Sequence, residues 1–95
     1  MDRNARRASA LLRALGNERR LMILRRLASG ERSVGALRRL IGLSQSALSQ
    51  HLARLRRERL VRTRRESQTI YYSLDGGEAA AVIEVLDRLY RGNGG

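Results

Sequence analysis

Five stretches with helical spacing of apolar residues, and one alternating stretch between the fourth and fifth, predict a mainly α fold carrying a β-hairpin. Two observations narrow the class. The third and fourth helical stretches are short and are joined through Gly42-Leu43, the signature of a helix-turn-helix. The alternating stretch follows at once, between Val61 and Leu74, where a wing would stand. The order helix, helix, helix, helix, strand, strand, helix is that of a winged helix-turn-helix with an extra helix at each end.

The first helix is expected from about Arg3 to Leu15, on the spacing of Ala8, Leu11, Leu12 and Leu15, with Gly16 ending it. Asn17 can cap the second, with Glu18 in the first turn, where a carboxylate favours the positive end of the helix dipole. Leu21, Ile23, Leu24, Leu27 and Ala28 form its expected buried face, and Gly30 is a natural stop. Ser33 can cap a third helix over about Val34–Leu40, with Val34, Leu37, Leu40 and Ile41 apolar. The fourth is expected over about Gln45–Arg59, capped by Ser44.

Beyond Leu60 the period changes to two. Val61, Thr63 and Arg65 alternate with Arg62, Arg64 and Glu66; Ile70, Tyr72 and Leu74 alternate with Tyr71 and Ser73. Alternation with β-branched and aromatic residues predicts two strands, joined at Glu66-Ser67-Gln68. Asp75 is placed to cap a last helix, with Glu78 three residues on completing a capping box. That helix runs to about Arg91 through Ala79, Val82, Ile83, Leu86, Leu89 and Tyr90; the tail Gly92-Asn93-Gly94-Gly95 should fray. With no repeat and no linker, residues 1–95 are expected to form one domain.

Composition bounds the function. Formal net charge is +11, and it is segregated. Residues 1–65 carry 18 Arg against Asp2, Glu18, Glu31 and Glu58, a net of +14; residues 66–95 carry two Arg against five carboxylates, a net of −3. Such a distribution points to a polyanionic partner, with nucleic acid first. Every basic residue apart from His51 is Arg, which also fits the codon usage of a GC-rich genome. With no Cys, disulfides, thiol redox chemistry and thiolate metal sites are excluded. No apolar run approaches a membrane span and the N-terminus has no signal-peptide core, so a cytoplasmic location is expected. No phosphate-cradling loop is present. The one His shares a helix with its nearest Ser, with no acid at hand, so no catalytic triad can be assembled and an enzyme is not expected.

The stretch Leu43–Leu55 has the form of a base-reading helix. Leu48, Leu52 and Leu55 make one apolar stripe, while Ser46, Gln50, Ala53 and Arg57 fall on the opposite side, flanked by Ser49 and Arg54. Hydroxyls, amides and guanidinium groups there can address base edges and phosphates. The expected contact set is Ser44, Gln45, Ser46, Ser49 and Gln50, with Arg54 and Arg57 on phosphates. Arg38 is added from the positioning helix, and Arg62, Arg64, Arg65 and Gln68 from the hairpin. His51 lies beside the leucine stripe, half-buried, bonding backbone or phosphate. It has no second ligand for a metal. Tyr71 and Tyr72 are expected to pack.

The segments Ala14-Leu-Gly-Asn-Glu-Arg-Arg-Leu-Met-Ile-Leu24, Gly30-Glu-Arg-Ser-Val-Gly-Ala-Leu37, Leu43-Ser-Gln-Ser-Ala-Leu-Ser-Gln-His-Leu52 and Leu60-Val-Arg-Thr-Arg-Arg-Glu-Ser-Gln-Thr-Ile-Tyr-Tyr72 resemble the ArsR/SmtB family of winged-helix repressors. The similarity spans nearly the whole chain. It is strongest to the branch that senses sulfane sulfur or oxidants through two cysteines. The resemblance implies a homodimeric transcriptional repressor on an inverted-repeat operator in double-stranded DNA. The first and last helices would form the dimer interface, through Leu11, Leu12, Leu15, Val82, Leu86, Leu89 and Tyr90. It also implies where the cysteine pair would fall, near Arg25 and at Arg91. Arginine forms no disulfide, so that switch is absent. The family's metal sites lack their ligands too. Residues 32–35 are Arg, Ser, Val and Gly, and the last helix offers only Glu78, Glu84 and Asp87, a weak set for a transition metal. No metal or cofactor is expected, and the sequence specifies no inducer. The alternatives are a winged helix that docks another protein and a small-molecule-responsive regulator.

Overall fold

The structure, a computed structural model, describes residues 2–91. In chain order it contains α1 (Arg3–Leu15), α2 (Glu18–Ala28), β1 (Arg32–Ser33), α3 (Val34–Ile41), α4 (Gln45–Arg57), β2 (Val61–Glu66), β3 (Thr69–Leu74) and α5 (Glu78–Tyr90). The expected fraying tail lies outside the described residues.

Four helices start where a short polar side chain accepts from a backbone N–H that the helix leaves unpaired. Asp2 accepts from Asn4 at 2.9 Å, Asn17 from Arg20 at 3.0 Å, Ser33 from Ala36 at 3.1 Å and Ser44 from Ala47 at 3.2 Å. The fifth start differs from expectation. Gly77, not Asp75, precedes α5, and no side chain caps it from that position. Asp75 sits two residues too early, and its backbone N–H instead donates to the Leu60 carbonyl at 2.9 Å, closing the hairpin's base. Glu78 turns back so that its Oε1 accepts from the Gly77 N–H at 3.2 Å.

β1 is an element the sequence does not announce. Two residues cannot display a period, yet Arg32 pairs with Tyr72 and Ser33 with Tyr71. The sheet is therefore three-stranded and antiparallel, in the order β1-β3-β2. β2 and β3 pair from Val61↔Leu74 to Glu66↔Thr69, leaving a two-residue turn at Ser67-Gln68. Ser67 takes φ 56, the positive value that mirror-image hairpin turns require.

The core is wholly aliphatic. Ala14, Leu15, Ile23, Leu24, Leu27, Leu37, Ile41, Leu48, Leu52, Leu55, Leu60, Val61 and Ile83 form one buried cluster, with Tyr72 and Leu74 packed against it. Burial of such side chains contributes about 1.5–3 kcal/mol each and is the main force holding these helices together. α2 is the central strut, touching α1, α3, α4, α5 and β3. Two apolar residues expected inside are outside: Ala28 lies in the last turn of α2, and Leu40 is turned outward on α3. Conversely Arg20, not expected in the core, is only 9% exposed.

The chain leaves α4 through a left-handed residue, Arg59, at φ 61. The Leu60 N–H donates to Leu55 at 2.9 Å and the Arg59 N–H to Arg56 at 3.0 Å. This is the Schellman pattern, with Leu60 and Leu55 both buried beside it. It turns the backbone sharply from the end of α4 into β2, which places the hairpin beside that helix.

Candidate nucleic-acid interface

The site begins at the turn between α3 and α4. Gly42 takes φ 78, a left-handed conformation that a side chain would strain, and its N–H donates to the Arg38 carbonyl at 3.0 Å. The Arg19 guanidinium reaches the Ile41 carbonyl at 3.5 Å. Two residues later Ser44 caps α4, with its hydroxyl 3.4 Å from that of Ser46. The turn is thus tied from both sides, and α4 leaves it in a defined direction.

Burial then sorts the helix. Leu48, Leu52 and Leu55 are 0%, 2% and 0% exposed, so the opposite face must point outward. Ser44, Gln45, Ser46, Ser49, Gln50 and Arg57 are all exposed. They give the outward face of α4 hydroxyl, amide and guanidinium groups, with the exposed Ala53 between Gln50 and Arg57. Arg54 is half-buried and paired with Glu58 at 3.5 Å, so its charge is shared within the helix. Arg38 is exposed on α3. His51 is half-buried, as expected, and its pKa is held below the usual imidazole range, first by burial and then by the charges of Arg20 and Arg19.

The hairpin supplies the second part. Arg62, Arg65 and Gln68 are exposed, with the Arg62 Nε 3.4 Å from the Ser73 hydroxyl. Arg64 is also exposed, but it is already engaged. Its Nε and Nη2 donate to the two carboxylate oxygens of Glu31, and its Nη1 to Glu66, each at 2.8 Å. The same guanidinium lies 4.4 Å from the centre of the Tyr71 ring. These hydrogen bonds raise the pKa of Arg64 further and hold the Glu31 carboxyl below the usual carboxylate range. Nothing in the sequence pointed to Glu31. The pair spans 33 positions and joins elements whose contact depends on the undetected β1.

A separate apolar surface lies away from α4. Leu12, Leu89 and Tyr90 are 61%, 63% and 64% exposed, although each belongs to an apolar face. Between α1 and α5 runs an open groove of about 830 Å³, lined among others by Leu12, Leu15, Leu21, Val82, Leu86 and Tyr90. Of the expected interface set, Leu15 belongs to the core, Leu11 and Val82 are half-buried against it, and Leu86 is half-buried. Arg25 and Arg91 both line the same groove, and Arg25 is paired with Asp87 of α5 at 3.0 Å. Among the described residues there is no group of three or more His, Cys, Asp or Glu side chains placed to hold a metal, and no helix is long and apolar enough to cross a membrane.

Known proteins share this architecture. The chain is 56% identical over 90 residues to the transcriptional activator HlyU of Vibrio cholerae, covering 95% of this chain and 83% of that one. A solved structure of HlyU superposes with a TM-score of 0.90, over 95% of this chain and 98% of that one. The transcriptional repressor BigR from Xylella fastidiosa superposes with a TM-score of 0.87 at 37% identity, covering 95% and 97% of the two chains. The homodimeric winged helix-turn-helix DNA-binding domain Mb0332 from Mycobacterium bovis does so at 0.78 and 34% identity, covering 96% and 92%. The model of the bacterial regulatory protein, arsR family, matches residues 17–63, which run from the cap of α2 into β2. With the fold, the helix-turn-helix and the relatives in agreement, the chain is a member of the ArsR family of winged helix-turn-helix regulatory proteins.

Proposed function

We propose that the protein is a dimeric, sequence-specific DNA-binding transcriptional repressor. The observation that carries this reading is the sorting of α4. Complete burial of its leucines leaves a polar strip with the donors and acceptors that base edges require. Gln50 can pair with adenine through its amide, the serines can serve bases or phosphates, and Arg57, Arg38, Arg62 and Arg65 supply charge for the backbone. The exposed Leu12, Leu89 and Tyr90 support a second copy of the chain as the occupant of the α1/α5 groove, as does the homodimeric state of the Mycobacterium bovis domain. A two-fold dimer would present its two α4 helices to successive major grooves about 34–36 Å apart, which calls for an inverted-repeat operator.

Selection from a random duplex pool followed by mobility-shift titration against competitor DNA tests this. An inverted repeat should emerge and bind tightly. With roughly 8 phosphates neutralised per dimer, log K should fall against log salt with a slope of about −7. A reporter placed downstream of the selected sequence should fall in output when the protein is expressed. Recovery of no preferred sequence, with no salt dependence, would reject the reading in favour of a protein-docking winged helix. A rise in reporter output would reject the repressor direction alone.

A further inference from the structure

The outer face of the sheet carries a connection that DNA contact leaves unused. β3 is the central strand, flanked by β1 and β2. Arg64 on β2 stands opposite Tyr71 on β3, and Tyr71 stands opposite Ser33 on β1. From β2 the Arg64 guanidinium crosses β3 above the Tyr71 ring and reaches Glu31, the residue just before β1. It meets both carboxylate oxygens there, each at 2.8 Å. A lone exposed ion pair contributes little, but a two-point guanidinium–carboxylate fork stacked on an aromatic ring is the geometry in which such a pair does contribute.

The position of this link matters more than its strength. β1 pairs only with Tyr71 and Tyr72, so beyond the Arg64–Tyr71 rung the hairpin is two-stranded. Two-stranded ribbons are marginal in water by themselves. Residues 64–69 are exposed and draw no support from the core. The fork acts on the last rung at which a third strand is present. Glu66 supplies a second carboxylate to the same guanidinium, so two negative charges surround one positive charge. A DNA phosphate approaching Arg64 would have to displace one of them.

We propose that Glu31 and Arg64 are positioning residues, which strap the hairpin to the α2–α3 connection and set its angle to α4, leaving Arg62, Arg65 and Gln68 to meet the duplex. This rests on the DNA-binding reading above. The test compares Glu31→Gln, Arg64→Lys, Arg64→Gln and the double variant Glu31→Gln/Arg64→Gln in the full chain. Two quantities are measured: amide hydrogen exchange across the hairpin of the free protein, and affinity for a random-sequence duplex over a salt series.

A strap requires Glu31→Gln to speed exchange at the hairpin and to weaken DNA binding roughly three- to ten-fold. Arg64→Lys should do the same, because an ammonium keeps the charge and loses the fork. The double variant should be no weaker than either single one, and the salt slope should not change. The proposal is overturned if Glu31→Gln tightens binding while Arg64→Gln flattens the slope by about 0.9 per phosphate lost. It is equally overturned if Arg64→Lys behaves as the wild type. If the unaltered protein fails to bind duplex DNA, the DNA-binding reading falls, and the exchange measurements still decide whether the strap exists.

Discussion

Arg20 of α2 caps the end of α1: its Nε donates to the Ala14 carbonyl at 3.0 Å, and its Nη2 to that of Arg13 at 3.1 Å. The side chain is buried, and so is its bond to Ala14, while the bond to Arg13 is half-buried. Arg20→Met should leave them unpaired and cost about 2–3 kcal/mol. Arg20→Lys should recover only part, since an ammonium lacks the planar fork. Urea titrations read this as a lower midpoint at constant m.

Gln50 and Arg57 both sit on the exposed face of α4 but should differ in kind. Gln50→Ala should reduce the preference for operator over random DNA by about 1–3 kcal/mol and leave the salt slope intact. Arg57→Ala should weaken both DNAs alike and lower the slope by about 1 per subunit. Parallel titrations on the two DNAs at several salt concentrations separate these outcomes. A Gln50→Ala protein that weakens on both DNAs alike would show that Gln50 reads no base.

His51 gives the fold a pH dependence of definite sign. Its folded pKa lies below the ordinary value, because burial and then Arg20 and Arg19 disfavour the imidazolium. At pH above the unfolded imidazole pKa, His51 is neutral in both states and the fold carries no penalty. As pH falls from the ordinary imidazole value through the depressed one, the unfolded state takes up its proton first and stability drops. Thermal melts across the mildly acidic range should show this loss, and His51→Gln should reduce it.

Leu89 is exposed on α5, so replacing it costs the isolated subunit little. Leu89→Arg should instead separate the proposed dimer. Sedimentation should give the mass of a monomer with unchanged helical circular dichroism, and operator affinity should fall by at least ten-fold because two half-sites no longer bind together.

Most of the helical frame is legible in the sequence, because caps and periodicity agree at three starts: Asn17, Ser33 and Ser44 all cap as their residue types suggest. The α4 strip is legible for the same reason, since three leucines fix which face turns outward. What stays hidden depends on tertiary pairing. β1 is too short to show a period, and with it goes the neighbour relation between Glu31 and Arg64. Arg20 looks like one more surface arginine until the α1–α2 corner brings unpaired carbonyls to it. Asp75 misleads because a capping box is a local rule, while here the Leu60 carbonyl claims the Asp75 N–H.

The all-aliphatic core has an optical consequence. The chain holds no Trp and no Phe, and none of its three tyrosines belongs to the buried cluster: Tyr71 and Tyr72 lie on β3, with Tyr72 half-buried against the cluster's edge, and Tyr90 lies on the exposed side of α5. Near-ultraviolet absorption and emission therefore report the interior only through Tyr72 at its edge. They report the hairpin and the α1/α5 groove instead. A Tyr90→Leu protein would carry phenols only at the wing, so its emission should follow DNA addition. In a Tyr71→Leu/Tyr72→Leu protein the remaining phenol should follow protein concentration. The molecule thus carries separate intrinsic chromophores for its two surfaces.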